Sequence, residues 1–423
     1  MNIVLSKKKK DLVFWQVGLL FFCRMITGFI GIDSIVYLED VVTFLMLLCL
    51  VKNSHGVITK RISLFVLFIF VYWAANFIFG TTSDIFPYIY EIRQFFRFYI
   101  VLIYVANYFD KKDFDKIINI IDKIIIIQFI LSELQIYVFE VDSLDAVGGI
   151  LGTTYGYANV GSHMILLLNL IVTIYKFLEK KEALWWSFTK IVMVISLAVQ
   201  IEIKSFVFEV IILLIVMLCY YGKLRVRTGA IIALGILLLP FMANYYITNF
   251  NYNVADTEKI MNYLESGYAG NVNAIGRFDG FQKIFVRIFN HNKRLLFFGY
   301  GTGSSGAHEF IAKYSNMNLG YFTYAKLFFD FGIIGVSIYF SVYLIAIIKA
   351  LKMRVKCPGY GAIILAVGIS CIYWSFYGSV LESDIGGYLN YILLGIAFVP
   401  VDKFVVAEKR KELNQKSNIE QDA

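Results

Sequence analysis

The chain has 423 residues, of which 59% are hydrophobic and only 17% are charged, and it contains four prolines. This composition places it among polytopic membrane proteins and excludes an ordinary soluble fold. The net charge of +8 is basic, and its meaning depends on where the positive residues lie along the chain.

Apolar runs long enough to cross a hydrocarbon layer of about 30 Å recur throughout the sequence. In chain order they lie at residues 12–31, 36–51, 62–80, 88–109, 124–140, 158–175, 186–203, 205–221, 228–248, 321–348, 359–380 and 386–402. The pattern predicts an all-α polytopic membrane protein with about 12 transmembrane helices.

The distribution of lysine and arginine predicts the orientation of these helices. Short cytoplasmic loops retain positive charge during insertion, and alternate connections together carry 26 of the 39 cations. Four short connections of the other kind carry none, and these lie at residues 32–35, 81–87, 141–157 and 381–385. Both termini are therefore expected to be cytoplasmic. Since membrane topology accounts for the basic balance, no nucleic-acid partner is expected.

One long polar segment, residues 249–320, interrupts the apolar pattern between the ninth and tenth predicted helices. The topology places it outside the cytoplasm, as a loop or lid on a single membrane domain that spans residues 1–423 and ends in a cytoplasmic tail at 403–423. Phenylalanines in FDGFQKIFVRIF recur at helical spacing, which predicts a short amphipathic helix lying in the membrane interface.

Five positive residues fall inside predicted spans: Arg24, Arg93, Arg97, Lys190 and Lys326. Each would cost roughly 2.5 to 3.5 kcal/mol at the bilayer centre, so each needs a partner, a cavity or a route to the surface. Lys190 lies near a cytoplasmic end and is expected to extend towards the aqueous phase. The other four lie in the outer half of the membrane.

Arg93 and Arg97 are spaced i and i+4 on one helix, so the sequence predicts a fork that grips a diphosphate. Lys204 and Lys326 lie near the same outer surface and are secondary candidates. The alternative is that these cations only hold helices together by pairing with acids inside the membrane, such as Glu91, Glu133, Glu202, Glu209 and Asp330.

Glycines at 301, 303 and 306 in the outer loop are expected to permit tight backbone turns beside a ligand or a helix. His308 and Glu309 follow directly and form the one neighbouring acid/base pair of the loop. His308 is either a general base or a bystander. The five cysteines show no paired spacing in the loop, so neither a disulfide framework nor a metal or other cofactor is expected.

Three motifs in and after the loop resemble those of the O-antigen polymerase and ligase superfamily, whose polymerases are called Wzy-type. In chain order they are GRFDGF at 276–281, FFGYGTG at 297–303 and FFDFGIIG at 328–335. The first contains Arg277, and in the third Asp330 precedes Gly-Ile-Ile-Gly. The predicted topology resembles that family over most of the chain.

Three further features bear on the resemblance. GTTYGYANVGS at 152–162 resembles a family element, with Asn159 opening the sixth span, and Lys204 with Ser205 stands where members often carry Ser-Arg. The ligase branch usually places a histidine about 11 residues before Gly-Ile-Ile-Gly, whereas this chain has Tyr321 there. This departure favours a polymerase over a ligase.

The resemblance implies a metal-independent glycosyltransferase at the outer face of the bacterial cytoplasmic membrane. It would transfer a growing glycan from undecaprenyl diphosphate to another lipid-linked repeat unit, with membrane lipid, a flippase and a chain-length regulator as further partners. The residues expected to bind the diphosphate are Arg93, Arg97, Arg277, Lys204 and Lys326. Those expected to act in catalysis are Arg277, Asp330, His308 and Glu309.

Two other functions remain open on the sequence. A ligase-like glycan transferase would use the same kind of donor. A lipid-linked oligosaccharide flippase would also need a cationic cavity, but it would be expected to show repeat symmetry, charges on both sides of the membrane and short outer loops. The sequence shows no internal repeat and a long outer loop.

Overall fold

The computed structural model describes residues 2–52, 57–78, 80, 85–153, 157–203, 205–222, 229, 274–317, 319–379 and 383–400. Within these ranges the protein is helical and contains no strand, which confirms the predicted all-α class. The helices are α1 (Asn2–Ile30), α2 (Tyr37–Lys52), α3 (Val57–Ile78), α4 (Ile85–Tyr108), α5 (Lys111–Tyr137), α6 (Tyr157–Leu178), α7 (Leu184–Gln200), α8 (Phe206–Tyr221), α9 (Gly280–Lys283), α10 (Lys293–Phe298), α11 (His308–Tyr314), α12 (Thr323–Met353), α13 (Pro358–Tyr377) and α14 (Asp384–Leu394).

Five segments of these helices are long and apolar enough to cross a membrane. They are Lys9–Ile30, Asp33–Lys52, Val160–Leu178, Thr323–Met353 and Pro358–Tyr377. Shorter apolar helices at Leu67–Ile78, Leu184–Gln200, Phe208–Tyr221 and Asp384–Phe398 coincide with other predicted spans. The span predicted at 228–248 lies outside the described residues except for residue 229, as do residues 249–273 of the loop and the tail at 403–423. The number of crossings therefore stays a prediction.

Contacts between helix termini show which termini lie together on the same side of the bundle. At one end of the bundle α1, α3 and α13 finish and α2, α4, α12 and α14 begin, and the described residues of segment 274–322 pack against these helix ends. We call this the loop end, segment 274–322 the loop segment, and the other side of the bundle the opposite end. The sequence predicts that the loop end faces away from the cytoplasm.

Helix α12 is broken at Gly332, whose φ of 63° and ψ of −166° are not helical. The break frees backbone carbonyl groups that a continuous helix would use. The loop segment satisfies two of them: the N–H of Tyr300 donates to the carbonyl of Phe329 (2.9 Å), and that of Gly301 donates to the carbonyl of Asp330 (3.0 Å). The loop is thus hydrogen-bonded into the broken helix.

Glycine is required where the two backbones cross. A Cβ atom on Gly332 would lie 2.4 Å from the backbone of Phe297, and one on Gly299, which has a φ of 68°, would lie 2.5 Å from the backbone of Asp330. No side chain fits at either position without separating the two segments. Of the three loop glycines expected to permit tight turns, Gly301 and Gly303 do have positive φ (119° and 81°), and the N–H of Gly301 bonds to α12 beside this crossing.

Part of the apolar face of the FDGFQKIFVRIF stretch packs against other helices, although Phe278 is 62% exposed, and its placement in a membrane interface stays a prediction. Phe281 packs against Tyr324 and Phe328 with ring centroids 5.0 and 4.9 Å apart, and Phe278 stacks on Phe376. The stretch forms α9 and a π-helical turn, Ile284–Ile288. Helical periodicity identifies an apolar face but not the surface that covers it.

At the opposite end, the connection from α4 to α5 is fixed by a capping box. The carboxylate of Asp110 accepts hydrogen bonds from the N–H groups of Lys112 and Asp113, and the Asp113 carboxylate accepts from the N–H of Asp110. Lys10 of α1 donates to both carboxylates. Burial works against ionisation of Asp110, but the hydrogen bond and charge of Lys10, with the backbone donors, lower its pKa below the ordinary value.

Candidate functional site

Two arginines from different helices share one carboxylate at the loop end. Arg24, near the end of α1, and Arg97 of α4 both form ion pairs with Asp384, the first residue of α14. The side chains of Arg97 and Asp384 are buried, with exposed fractions of 5% and 4%, and that of Arg24 is 11% exposed. One carboxylate therefore holds two guanidinium groups side by side, with an excess of one positive charge.

Glu39 of α2 lies within the electrostatic reach of the same arginines and of Arg93. Its side chain is fully buried, and neither of its carboxyl oxygens has a hydrogen-bond partner among the described residues. The next residue, Asp40, accepts from the Arg93 guanidinium at 2.6 and 2.7 Å. The start of α2 thus brings two acids to the arginine cluster.

Arg93 and Arg97 do not form the predicted fork. They do lie on one helix at i and i+4, but Arg93 pairs with Asp40 and Arg97 pairs with Asp384. Their guanidinium groups therefore have separate carboxylate partners, and the alternative raised from the sequence, pairing with acids in the membrane, describes both residues. The acids involved are not those that the sequence suggested.

Lys326 and Asp330, one helical turn apart on α12, occupy different surroundings. The ammonium group of Lys326 pairs with Glu91 at 3.0 Å, as the sequence alternative proposed. The carboxylate of Asp330 is fully buried and accepts two hydrogen bonds of 2.7 Å from Ser305, one from its N–H and one from its hydroxyl. Asp330 therefore fastens the glycine-rich loop to the broken helix.

Arg277 lies in a turn that Tyr324 holds from both sides. The Tyr324 hydroxyl donates to the carbonyl of Gly276 (2.7 Å) and accepts from the N–H of Gly280 (3.0 Å). Asp279 adds a second constraint by accepting from the N–H of Gly276 at 2.7 Å. The GRFDG sequence is thus folded into one fixed turn on α12.

The Arg277 side chain is 3% exposed and lies over aromatic rings. Its guanidinium carbon is 4.5 Å from the ring centre of Tyr377, at the end of α13, and 5.7 Å from that of Phe322. An arginine side chain over an aromatic face is attracted by the ring, and its guanidinium donors match the oxygens of an anion. This geometry suits recognition of a phosphate or a sugar oxygen.

The remaining predicted site residues are only partly described. Lys204 lies outside the described residues. His308 and Glu309 open helix α11, and the structure describes their backbone but not their side chains. Their proposed acid/base roles stay predictions.

Lys190 was expected to reach the aqueous phase, and this expectation was wrong. Its side chain is 0% exposed and pairs with Asp122 and Glu182, while Lys176 also donates to Asp122 at 2.8 Å. Burial is possible because Asp122 of α5 faces α7. The sequence alone does not reveal that these two helices are neighbours.

Buried polar atoms without hydrogen-bond partners are concentrated at the loop end of the described bundle. Besides the two oxygens of Glu39, they include one carboxyl oxygen of Glu91, the amide oxygen of Gln94 and the Nε of Arg97. Buried polar groups are nearly always paired, so such atoms indicate a place for water, an ion or a ligand. These groups are able to hydrogen-bond a polar molecule at the loop end.

A buried histidine near this region was missed by the sequence reasoning. Nε2 of His163 in α6 lies 2.7 Å from a carboxyl oxygen of Glu209 in α8, and the imidazole ring packs edge-on against Trp374, with centroids 4.0 Å apart. Trp374 in turn contacts Tyr377, the residue under Arg277. A histidine directly after the 152–162 motif was the available signal.

A search of protein-family models and of curated proteins with this sequence finds no match in either. Over the residues that it describes, the structure is all-helical, with helices that could cross a membrane. Its charged site lies at one end of the bundle, beneath a loop segment that is hydrogen-bonded into a broken helix.

Proposed function

We propose that this protein polymerises undecaprenyl-diphosphate-linked oligosaccharide repeat units at the outer face of a bacterial cytoplasmic membrane, as a metal-independent glycosyltransferase. The observation that carries the proposal is the loop end, where buried arginines are combined with buried polar atoms that lack hydrogen-bond partners. A diphosphate joined to sugars presents both anionic oxygens and hydroxyl groups, and it would use both kinds of group.

The pairing of the arginines with carboxylates changes how the diphosphate would bind. A carboxylate shared by Arg24 and Arg97 holds the two guanidinium groups in place before the substrate arrives. A phosphate group carries more acceptor oxygens than a carboxylate, and it would bind by displacing Asp384 from one or both arginines. Asp384 would then be a preorganising residue rather than a permanent partner.

The proposed reaction breaks the bond between the sugar C1 and the phosphate oxygen of the donor and forms a bond from C1 to an acceptor hydroxyl oxygen. The hydroxyl proton leaves, and the negative charge remains on the departing diphosphate. Arg277 would stabilise that charge, in company with the arginine cluster. Asp330 would act as a positioning residue through Ser305, whereas His308 and Glu309 stay the proposed proton acceptors.

The alternatives use the same donor chemistry. A ligase-like transferase would move the finished glycan to a different acceptor. A flippase would be expected to carry charged groups at both ends, and the described residues do place charges at both. However, the opposite-end carboxylates at Asp122 and Glu182 accept hydrogen bonds from lysines, which favours a structural role there.

The test compares cells that carry Arg277→Ala with cells that carry Arg294→Ala, an exposed arginine of the same loop segment. Surface glycan is resolved by chain length, and single lipid-linked repeats are probed with a reagent that cannot cross the membrane. Loss of a polymerase leaves single repeats facing outward. Single repeats retained inside the cell would indicate a flippase. Long glycan that stays attached to its lipid carrier would indicate a ligase.

A further inference from the structure

A cavity of about 570 Å³ opens at the opposite end of the bundle, far from the proposed glycan site. Its walls come from the start of α5, the end of α6 with the residues after it, and the start of α13. Ligand pockets typically enclose about 300 to 1,000 Å³. The cavity is therefore large enough for a phosphorylated group.

Positive charge predominates in the lining. Among the described lining residues two are carboxylates, Asp115 and Glu179. Each accepts a hydrogen bond from a tyrosine hydroxyl: Asp115 from Tyr360 (2.6 Å) and Glu179 from Tyr221 (2.9 Å). The lysines in the lining are Lys111, Lys176, Lys181 and Lys356. Even with Lys176 assigned to Asp122, three lysines face two acids.

One of these lysines makes cation–π contacts with tyrosine rings in the cavity wall. The ammonium nitrogen of Lys181 lies 4.6 Å from the ring centre of Tyr175 and 5.7 Å from that of Tyr360, and it donates to the Tyr175 hydroxyl. Such contacts hold the ammonium group of Lys181 at the cavity wall.

The start of helix α13 forms the facing wall. Its N-cap residue, Cys357, makes no side-chain cap, and Pro358 occupies the first turn. The helix is 20 residues long, so its N-terminus adds a partial positive charge. Gly359 allows the start of α13 to lie close to the end of α6, because a Cβ atom at this position would lie 2.5 Å from Tyr175 and 3.2 Å from Glu179. The helix start, the lysines and the cavity volume therefore favour the same kind of ligand.

We infer that this cavity is a binding site for a phosphate-bearing anion on the side of the membrane predicted to be cytoplasmic. Basic pockets between membrane helices on that side bind anionic lipid headgroups, and a soluble phosphate compound offers the same chemistry. The site is independent of the proposed glycan transfer, because it lies at the other end of the bundle.

Two probes distinguish the sources of phosphate. The full-length protein in a neutral detergent is titrated with inorganic pyrophosphate in one arm and with short-chain phosphatidylglycerol in the other, at a single salt concentration. Bound ligand is measured by native mass spectrometry. Binding of phosphatidylglycerol alone identifies a lipid headgroup site, and binding of pyrophosphate alone identifies a soluble ligand. Binding of both identifies the phosphate as the shared determinant.

The variant that tests the site is K181Q/K356Q, which removes two lining charges at exposed positions. Its matched control is K112Q/K123Q, which removes two exposed charges of α5 that do not line the cavity. We expect the lining variant to weaken binding about tenfold or more, the control to leave it unchanged, and K181R/K356R to retain it. Equal losses in the lining and control variants, or no binding of either probe, would overturn the site.

Discussion

The two ends of the bundle use buried charge in different ways. At the opposite end, Lys190 and Lys176 share Asp122, and Lys190 also pairs with Glu182, so both carboxylates of this network accept hydrogen bonds. At the loop end, Asp384 takes two arginines, while the fully buried Glu39 has no hydrogen-bond partner among the described residues.

The difference separates a network whose carboxylates accept hydrogen bonds from one that keeps buried polar atoms without partners among the described residues. Breaking a buried pair leaves an uncompensated charge, whereas a satisfied pair is a stable way to join helices. Unsatisfied buried atoms reduce stability and are retained where they have a use. The opposite-end network therefore joins α5 to α6 and α7, whereas the loop end is where we propose that the lipid-linked substrate binds.

The largest expected effects come from removing the central carboxylate of each network. Asp384→Asn and Asp122→Asn should each lower the free energy of unfolding by about 3 to 5 kcal/mol, because each removes a buried carboxylate that two cations share. The yield of folded protein and the midpoint of thermal unfolding in detergent measure this loss. Glycan chain length, measured in the same cells, then tests whether the two ends of the bundle differ in function.

The separation requires variants that restore the charge balance. In Arg97→Gln/Asp384→Asn and in Lys190→Gln/Asp122→Asn, one cation is removed with its acid, so much of the lost stability should return in both. Only the loop-end pair should still lack polymeric glycan. Normal chain lengths from the Arg97→Gln/Asp384→Asn protein would remove the functional distinction between the ends.

The crossing of the loop segment with α12 gives the next largest effect. Gly332→Ala places a side chain at a φ of 63° and 2.4 Å from the Phe297 backbone, which should destabilise the protein by about 1 to 3 kcal/mol or more. Gly320→Ala is the matched control, because nothing lies within 4 Å of a Cβ atom there. Similar thermal midpoints for both variants would contradict the described crossing.

Ser305→Ala tests the link from the loop to Asp330. It removes one of two hydrogen bonds to a buried carboxylate and should cost about 1.5 to 3 kcal/mol of local stability. Limited proteolysis of the loop segment measures this as faster cleavage. Ser337→Ala serves as the control, since that hydroxyl only bonds the carbonyl of Ile333 on an exposed face of α12.

The smallest effect concerns the capping box at the opposite end. Asp110→Ala should lower stability by about 0.5 to 2 kcal/mol, and Asp110→Asn, which can still cap the helix, by less. The folded state lowers the pKa of Asp110, so its ionic contribution is present above the unfolded value of about 3.9 and is lost as the pH falls through the lower folded value. The thermal midpoint advantage of wild type over Asp110→Asn should therefore disappear in acid, and an advantage that persists there would contradict the ion pair.

Sequence patterns located the charged residues better than their partners. Hydropathy placed Arg97 and Lys326 in the same half of the membrane as the loop, and the structure brings both to the loop end. Asp384 was not predicted as the partner of Arg97, because pairing depends on which helices are neighbours. Chain order alone does not fix the neighbours in a bundle of many helices.

The sequence motifs identified candidate residues in and after the loop, but not the residues that contact them. GRFDGF drew attention to Arg277, whereas the ring beneath it, Tyr377, belongs to α13, far along the chain. FFDFGIIG singled out Asp330 as a catalytic candidate, and the structure gives its carboxylate two hydrogen bonds from Ser305. The break at Gly332 follows from a backbone conformation that the sequence permits but does not specify.

The central claim is that the loop end binds a polyprenyl diphosphate through its arginines, and direct binding tests it. Purified protein is titrated with undecaprenyl diphosphate in detergent, and Arg97→Gln/Asp384→Asn is compared with Lys190→Gln/Asp122→Asn. The loop-end variant should lose about tenfold or more in affinity, with the opposite-end variant close to wild type. Equal affinities for all three proteins would contradict the proposal.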